Sequence, residues 1–332
     1  MVFYSLKHTR IVWTRKLEVS WDQLQEVLAR GFERLGVVLD VGPKGSYYER
    51  QVYDSNLVEC GGEFNAYLST MSGEGVLKGQ AISLAFCRKS TGGLSDWRLF
   101  DKNPILKPDK TWDSWFVRHG CTIREEKEYL MYYTGFNGEV RQIGLAVSKD
   151  GVVFSKYEEN PVLKPSDDEK ELTNPAVVKW DGKYFMYYCV FMDKSKNQLK
   201  RIRVAVSEDG LTWQKIGEAI RVGEEGEWDC HFIEWHSAYV LKDGILLLYE
   251  GYNGKQWSVG VAFSEDGVNF TKYEKNPIFR SSGVKGAFDE YHVATPFMIL
   301  EGDRLLLIYS GGESPHYPTS LWRLGLARTK EL

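Results

Sequence analysis

The 332-residue sequence has little of several features that would fix a function class outright. It has no run of Lys and Arg, and 42 basic against 46 acidic residues leave a net charge of −4. Nothing therefore favours a nucleic acid or an anionic membrane as partner. No apolar stretch approaches the roughly 20 residues that a membrane helix needs. The first residues, Met1-Val-Phe-Tyr-Ser-Leu-Lys-His8, lack the charged-then-apolar order of a secretory signal. Cysteine is scarce and odd in number, and Cys60, Cys87, Cys121, Cys189 and Cys230 share no metal-ligand spacing. Three of them, Cys87, Cys121 and Cys189, fall in apolar strand patterns, where a free thiol acts as a small hydrophobe. These features predict a reducing, cytoplasmic setting, with neither cofactor nor metal.

Aromatic residues are plentiful, at 14% with 11 Trp and 19 Tyr, a load that suits strands and also sugar-stacking surfaces. The dominant feature is a repeat. Ser83-Leu-Ala-Phe-Cys87, Gly144-Leu-Ala-Val-Ser148, Arg203-Val-Ala-Val-Ser207, Gly260-Val-Ala-Phe-Ser264 and Gly325-Leu-Ala-Arg-Thr329 are five versions of one strand. Three run on into Ser-x-Asp-Gly turns ending at Gly151, Gly210 and Gly267, which is hairpin chemistry. Asn103-Pro104, Asn160-Pro161 and Asn276-Pro277 follow, and proline there predicts an edge strand. Upstream of each alanine strand lies an apolar run with a tyrosine (67, 132, 187, 249, 309), and upstream of that a further strand.

Four short strands repeated five times predict an all-β fold, a single five-bladed β-propeller over residues 1–332 with four antiparallel strands per blade. The blades are expected at about residues 54–105, 113–164, 174–222, 229–280 and 289–329. The last copy lacks its outer strand, so an N-terminal strand from residues 1–40 closes the ring. Arg10–Val19 and Phe32–Val41 are the candidates, with an amphipathic helix over Ser20–Leu35 between them, capped by Ser20.

In such a ring the first strands converge on the axis. Counting 13 residues back from the tyrosines, and 14 in the fifth copy, gives Asp54, His119, Asn174, His236 and Thr295 as the inner-mouth positions. All five are polar, where a purely structural ring would be small or apolar. Asp54 is the sharpest candidate, because a buried carboxylate must be paired or solvated. Trp112-Asp113, Trp228-Asp229 and Phe288-Asp289 lie just upstream, with Glu234, Glu290 and His292 nearby. The aromatic-Asp pairs read equally well as inter-blade packing. Arg118, Trp115 and Trp235 complete the set of candidate sugar contacts with Asp113, His119, Asn174, Asp229, Asp289 and His292. A metal site built from His119, His236 and His292 has no supporting local spacing.

The repeat Gly-Leu-Ala-Val-Ser-x-Asp-Gly-x-x-Phe/Trp followed by Asn-Pro-Val-Leu resembles the five-bladed glycosidases of the invertase, levansucrase and arabinanase superfamily, which includes glycoside hydrolase families 32, 43, 117 and 130. The likeness covers about residues 40–329. It implies a carboxylate on the first inner strand acting as base or nucleophile, a position matched by Asp54. Invertase-like members carry Arg-Asp-Pro and Glu-Cys-Pro on the next two blades. Here those stretches read Arg118-His119-Gly120 and Thr173-Asn174-Pro175, so both carboxylates are missing. The acid must then come from elsewhere, with Glu234, Glu290 or His236 as candidates. The resemblance implies a glycosidase acting on short oligosaccharides, with a phosphorylase or a non-catalytic sugar-binding propeller as the alternatives. It leaves sugar, linkage and oligomeric state open.

Overall fold

The computed structural model describes residues 15–73, 79–192, 201–316 and 320–331. Residues 10–14 of the first candidate closing stretch lie outside these. The chain is built almost wholly from antiparallel strands in four-stranded units. The first strands of the successive units are Gln51–Cys60, Phe116–Arg124, Glu171–Trp180, Phe232–Val240 and His292–Glu301. Each pairs with a second strand, which pairs with a third that carries the repeated alanine. The first and last units join through one parallel bridge, Gln51 to Trp322.

Helix Trp21–Leu28 is shorter than the Ser20–Leu35 expected. Ser20 caps it as predicted, its hydroxyl accepting from the Gln23 amide while Gln23 Oε1 accepts from the Ser20 amide. Left-handed Gly31 (φ 69°) then ends the helical path, and Phe32–Leu39 becomes a strand. That strand pairs antiparallel with Trp322–Thr329 as the fourth strand of the last unit. Of the two candidate closing stretches, the second therefore fills the role. Lys16 makes an isolated bridge to Val240 instead.

The core lies between sheets. Val58, Tyr67, Ile82 and Leu84 of the first unit pack against Val117, Met131, Tyr133 and Ala146 of the second. Each such side chain stabilises the fold by about 1.5–3 kcal/mol when fully buried. Tyr67, Tyr132 and Tyr187 also reach across to the following unit, donating to the carbonyls of Gly151, Gly210 and Gly267 at 2.8–2.9 Å. The Ser-x-Asp-Gly turns are self-contained. Ser148 Oγ accepts from Gly151, while Asp150 Oδ1 accepts from Val152 and Val153. Asn103-Pro104 and Asn160-Pro161 follow the fourth strands of their units, and Asn276-Pro277 interrupts the outer edge of the fourth unit between Thr271–Lys272 and Phe279–Arg280. Their asparagines complete the ladder themselves, as Asn160 shows by bonding both backbone groups of Leu145 at 2.8 Å.

Candidate active site

Strand pairing gives the register of the units. The repeated alanines pair with Ala66, Met131, Met186, Leu247 and Leu307. The next residue is Tyr67, Tyr132 and Tyr187 in the first three units, but Leu248 and Ile308 in the last two. Tyr249 and Tyr309 therefore stand one place further on, level with Tyr133 and Tyr188. The 14-residue spacing expected only in the fifth unit therefore holds in the fourth as well, so the inner-mouth residue of the fourth unit is Trp235 and not His236.

Each first strand has its register broken at this position. Asp54, His119, Asn174 and Thr295 all take left-handed backbone, with φ between 49° and 60°. Non-glycine residues rarely adopt it, and such strain marks functional sites. The amide freed by each break is caught by the neighbouring unit. His119 N donates to Ser69 Oγ, Asn174 N to Thr134 Oγ1, Thr295 N to Glu250 Oε2, and Asp54 N to Thr295 Oγ1 at 3.2 Å and Ser310 Oγ at 3.4 Å. Ser69, Thr134, Glu250 and Ser310 all stand two residues after the Tyr67-level position.

The side chains are linked in turn. Asp54 Oδ2 lies 2.5 Å from His119 Nδ1 and accepts from Ser69 Oγ at 3.0 Å. Both groups of the Asn174 amide are satisfied when its nitrogen donates to His119 Nε2 (3.2 Å) and its oxygen accepts from Trp235 Nε1 (3.2 Å). That orientation makes Nε2 an acceptor, so Nδ1–H donates to Asp54. The Trp235 ring packs edge-on against the imidazole, with centroids 5.4 Å apart. His119 is buried, and burial pushes its pKa down to about 4; Asp54 opposes this and Arg118 adds to it. The imidazole is therefore neutral at pH 7. Asp54 is the most exposed member, its side chain 22% accessible, and among the described residues its Oδ1 has no hydrogen-bond partner.

Arg118 borders this group. It stacks on Phe116 and donates to Gln80 Oε1 at 3.3 Å. Tyr53 lies beside Asp54, and its pKa is pushed up to about 12 by burial, against the pull of Arg118. Glu234 is buried on the strand before Trp235, and its charge is felt by His119, Tyr53 and Arg141. Gln51, Tyr53, Trp235, Thr295 and Trp322 line a hollow above the ring.

The remaining candidates lie elsewhere. Asp113, Asp229 and Asp289 have at most 1% of their surface exposed. Asp113 accepts from Tyr133 OH and Lys156, Asp229 from Tyr249 OH and Lys272, and Asp289 from Tyr309 OH and Arg34. Their aromatic neighbours Trp112, Trp228 and Phe288 pack on the same tyrosines. Fully committed inside this clamp, these carboxylates are not sugar contacts. Glu290 turns back to accept from the Gly286 amide of its own loop at 2.7 Å. His292 stacks on Trp322 and contacts the Pro315 carbonyl. His236 faces Cys189 below the ring, so the three histidines do not converge. Trp115 is 40% exposed at the rim beside Phe136. No group of three or more metal-binding side chains occurs among the described residues.

The site is thus a set of coupled polar residues with one part-exposed carboxylate, on a scaffold of almost wholly antiparallel strands. The family model of glycoside hydrolase family 130, described as beta-1,4-mannooligosaccharide phosphorylase, matches residues 87–313, and the chain belongs to that family. An uncharacterised Mycobacterium tuberculosis protein is 27% identical over 51% of this chain and 56% of its own length. A 1,2-beta-oligomannan phosphorylase from a Thermoanaerobacter species is 26% identical over 55% of this chain and 60% of its own. The chain thus spans little more than half the length of these relatives. Among solved structures, one comes from work reporting that the family of mannoside phosphorylases contains glycoside hydrolases targeting β-1,2 mannosidic linkages in Candida mannan. It covers 89% of this chain and 93% of its own at a TM-score of 0.64 and 19% identity, a likeness of fold.

Proposed function

We propose that this chain is a closed five-bladed propeller over its whole length that cleaves mannosidic bonds of short oligosaccharides at the axial mouth, transferring the mannosyl group to inorganic phosphate. Closure is supported by the first strands, each of which touches the next in the order one to five and back to one. Phosphorolysis is supported by one observation above all: the ring holds a single carboxylate, Asp54, with His119, Asn174, Trp235 and Thr295 at the other four places. Hydrolysis needs an acid and a second carboxylate to attack or to activate water. Phosphate is already anionic and needs no such base.

In this reading Asp54 carries a proton on Oδ1 while Oδ2 is held by His119 and Ser69. Phosphate attacks the anomeric carbon as the glycosidic C–O bond breaks. The proton of Asp54 passes to the leaving oxygen, and the carboxylate recovers one from the phosphate monoester product or solvent. This replaces the base or nucleophile role first expected of Asp54. Arg118 steers the anion. The family description and the phosphorylase relative support a mannoside. The second reading is hydrolysis with Glu234 as the further carboxylate, favoured by the proximity of its charge to His119. The lack of any disulfide among the five cysteines supports a cytoplasmic setting.

The test is release of mannose or mannose 1-phosphate from β-1,2- and β-1,4-linked mannobiose, with and without phosphate, alongside Asp54→Asn. Phosphate-dependent turnover reduced by about 10²–10⁴-fold in Asp54→Asn is expected. Unchanged turnover in the variant overturns the role of Asp54, and phosphate-independent turnover replaces phosphorolysis with hydrolysis.

A further inference from the structure

A small cavity lies among the first strands and shares the mouth residues of the proposed site. About 30 Å³ of space there is lined by Ser55, Asn56, Cys121, His236, Ser237 and Arg15, with Asp54, His119, Asn174, Trp235 and Thr295 of the mouth in its roof. Arg15 enters from the N-terminal segment, is only 8% exposed, and stands over the Phe297 ring at 5.6 Å. Its Nη1 donates to the Ala238 carbonyl, but its buried Nε has no partner among the described residues. Asn56 is 4% exposed. Its Oδ1 accepts from Thr122 N at 2.7 Å, which fixes the amide so that Nδ2 is the group left unpartnered. The Ser55 hydroxyl is likewise buried without a partner. His236 turns its ring to the Tyr187 carbonyl and lies 3.6 Å from the Cys189 thiol, so it supplies no donor to the cavity.

A buried donor left without an acceptor costs about 1–3 kcal/mol, more when it is charged. Three around one cavity favour an acceptor there. The one acidic group in the roof, Asp54, turns Oδ2 to His119 and Ser69 instead. A cation would meet the Arg15 guanidinium. We propose that this cavity binds a small inorganic anion of halide size, held by Arg15, Asn56 and Ser55. The anion ties the N-terminal segment to the first unit, because its three donors come from those two places.

The test is crystallographic and thermal. Bromide replacing chloride should give an anomalous peak on the axis within hydrogen-bonding distance of Arg15 and Asn56. Halide at constant ionic strength, with gluconate as the counterpart, should raise the melting temperature by about 2 °C. Arg15→Met should lose both the peak and the halide-dependent rise. Ser55→Ala, which leaves the segment undisturbed, should keep the fold and weaken halide binding several-fold. Water alone at the site, a metal ion there, or a bromide peak unchanged in Arg15→Met would each overturn the proposal.

Discussion

His119 and His236 make the axis sensitive to acid. Burial holds each at a pKa of about 4, against an ordinary 6.5. Between those values the unfolded chain binds protons that the folded one refuses, so stability is full above about pH 6.5 and is lost as the pH falls towards 4. Each histidine contributes a slope of up to about 1.4 kcal/mol per pH unit in that window. The urea midpoint should fall steadily from pH 7 to pH 4.5, and His236→Gln should flatten the fall. A wild-type midpoint that stays constant across the window would show that neither imidazole is buried neutral. The same burial explains why His119 serves the site as a neutral donor to Asp54 rather than as an acid in its own right.

At the scale of the element, one cassette recurs. The repeated alanines of the second to fifth units pair across to Lys156, Lys215, Lys272 and Arg34, all on fourth strands. Each cation reaches a buried acid, in order Asp113, Glu169, Asp229 and Asp289, and each acid also takes a tyrosine hydroxyl. In the first unit the matching residue is Leu99, and it packs with Leu68 and Tyr48 in an apolar cluster. Breaking such a pair from one side leaves a bare buried charge. Lys272→Met should therefore cost about 3–5 kcal/mol in urea unfolding. It should leave turnover per folded molecule unchanged, because the clamp is remote from Asp54. A loss below 1 kcal/mol, on the scale of a surface pair, would show the clamp to be dispensable. This cassette also marks how far the sequence could be read. The five alanine strands, the Asp-Gly turns and Asp54, His119 and Asn174 at the mouth were all legible, because strand periodicity and turn chemistry are local. The one-residue offset of Tyr249 and Tyr309 was not legible. A tyrosine bonding the next unit's turn and a tyrosine bonding a clamp acid look alike in sequence, and only pairing tells them apart. The buried fate of Asp113, Asp229 and Asp289 was hidden for the same reason, since their partners lie 20 and 43 residues away or, for Arg34, 255.

For the molecule as a whole, the segment from Arg15 to Leu39 does three jobs at once. Helix Trp21–Leu28 sends Leu24, Val27 and Leu28 into the cluster shared by the fourth and fifth units. Strand Phe32–Leu39 covers the edge of Trp322–Thr329, which would otherwise present unpaired backbone to another chain. Arg34 supplies the cation for Asp289 and lies 4.6 Å over the Phe279 ring. Starting the chain after Leu39 removes all three together. The truncated protein should expose a bare strand edge and a buried, uncompensated Asp289, and should aggregate rather than elute as the full-length species on size exclusion. Supplying residues 15–40 as a separate chain during expression should restore soluble protein, because the pairing is antiparallel and needs no covalent link. The same fragment carrying Arg34→Met should restore it poorly, whereas Arg34→Lys, which keeps the charge, should do better. A truncated chain that folds and elutes normally would mean that the fourth strand of the last unit is an accessory to the fold.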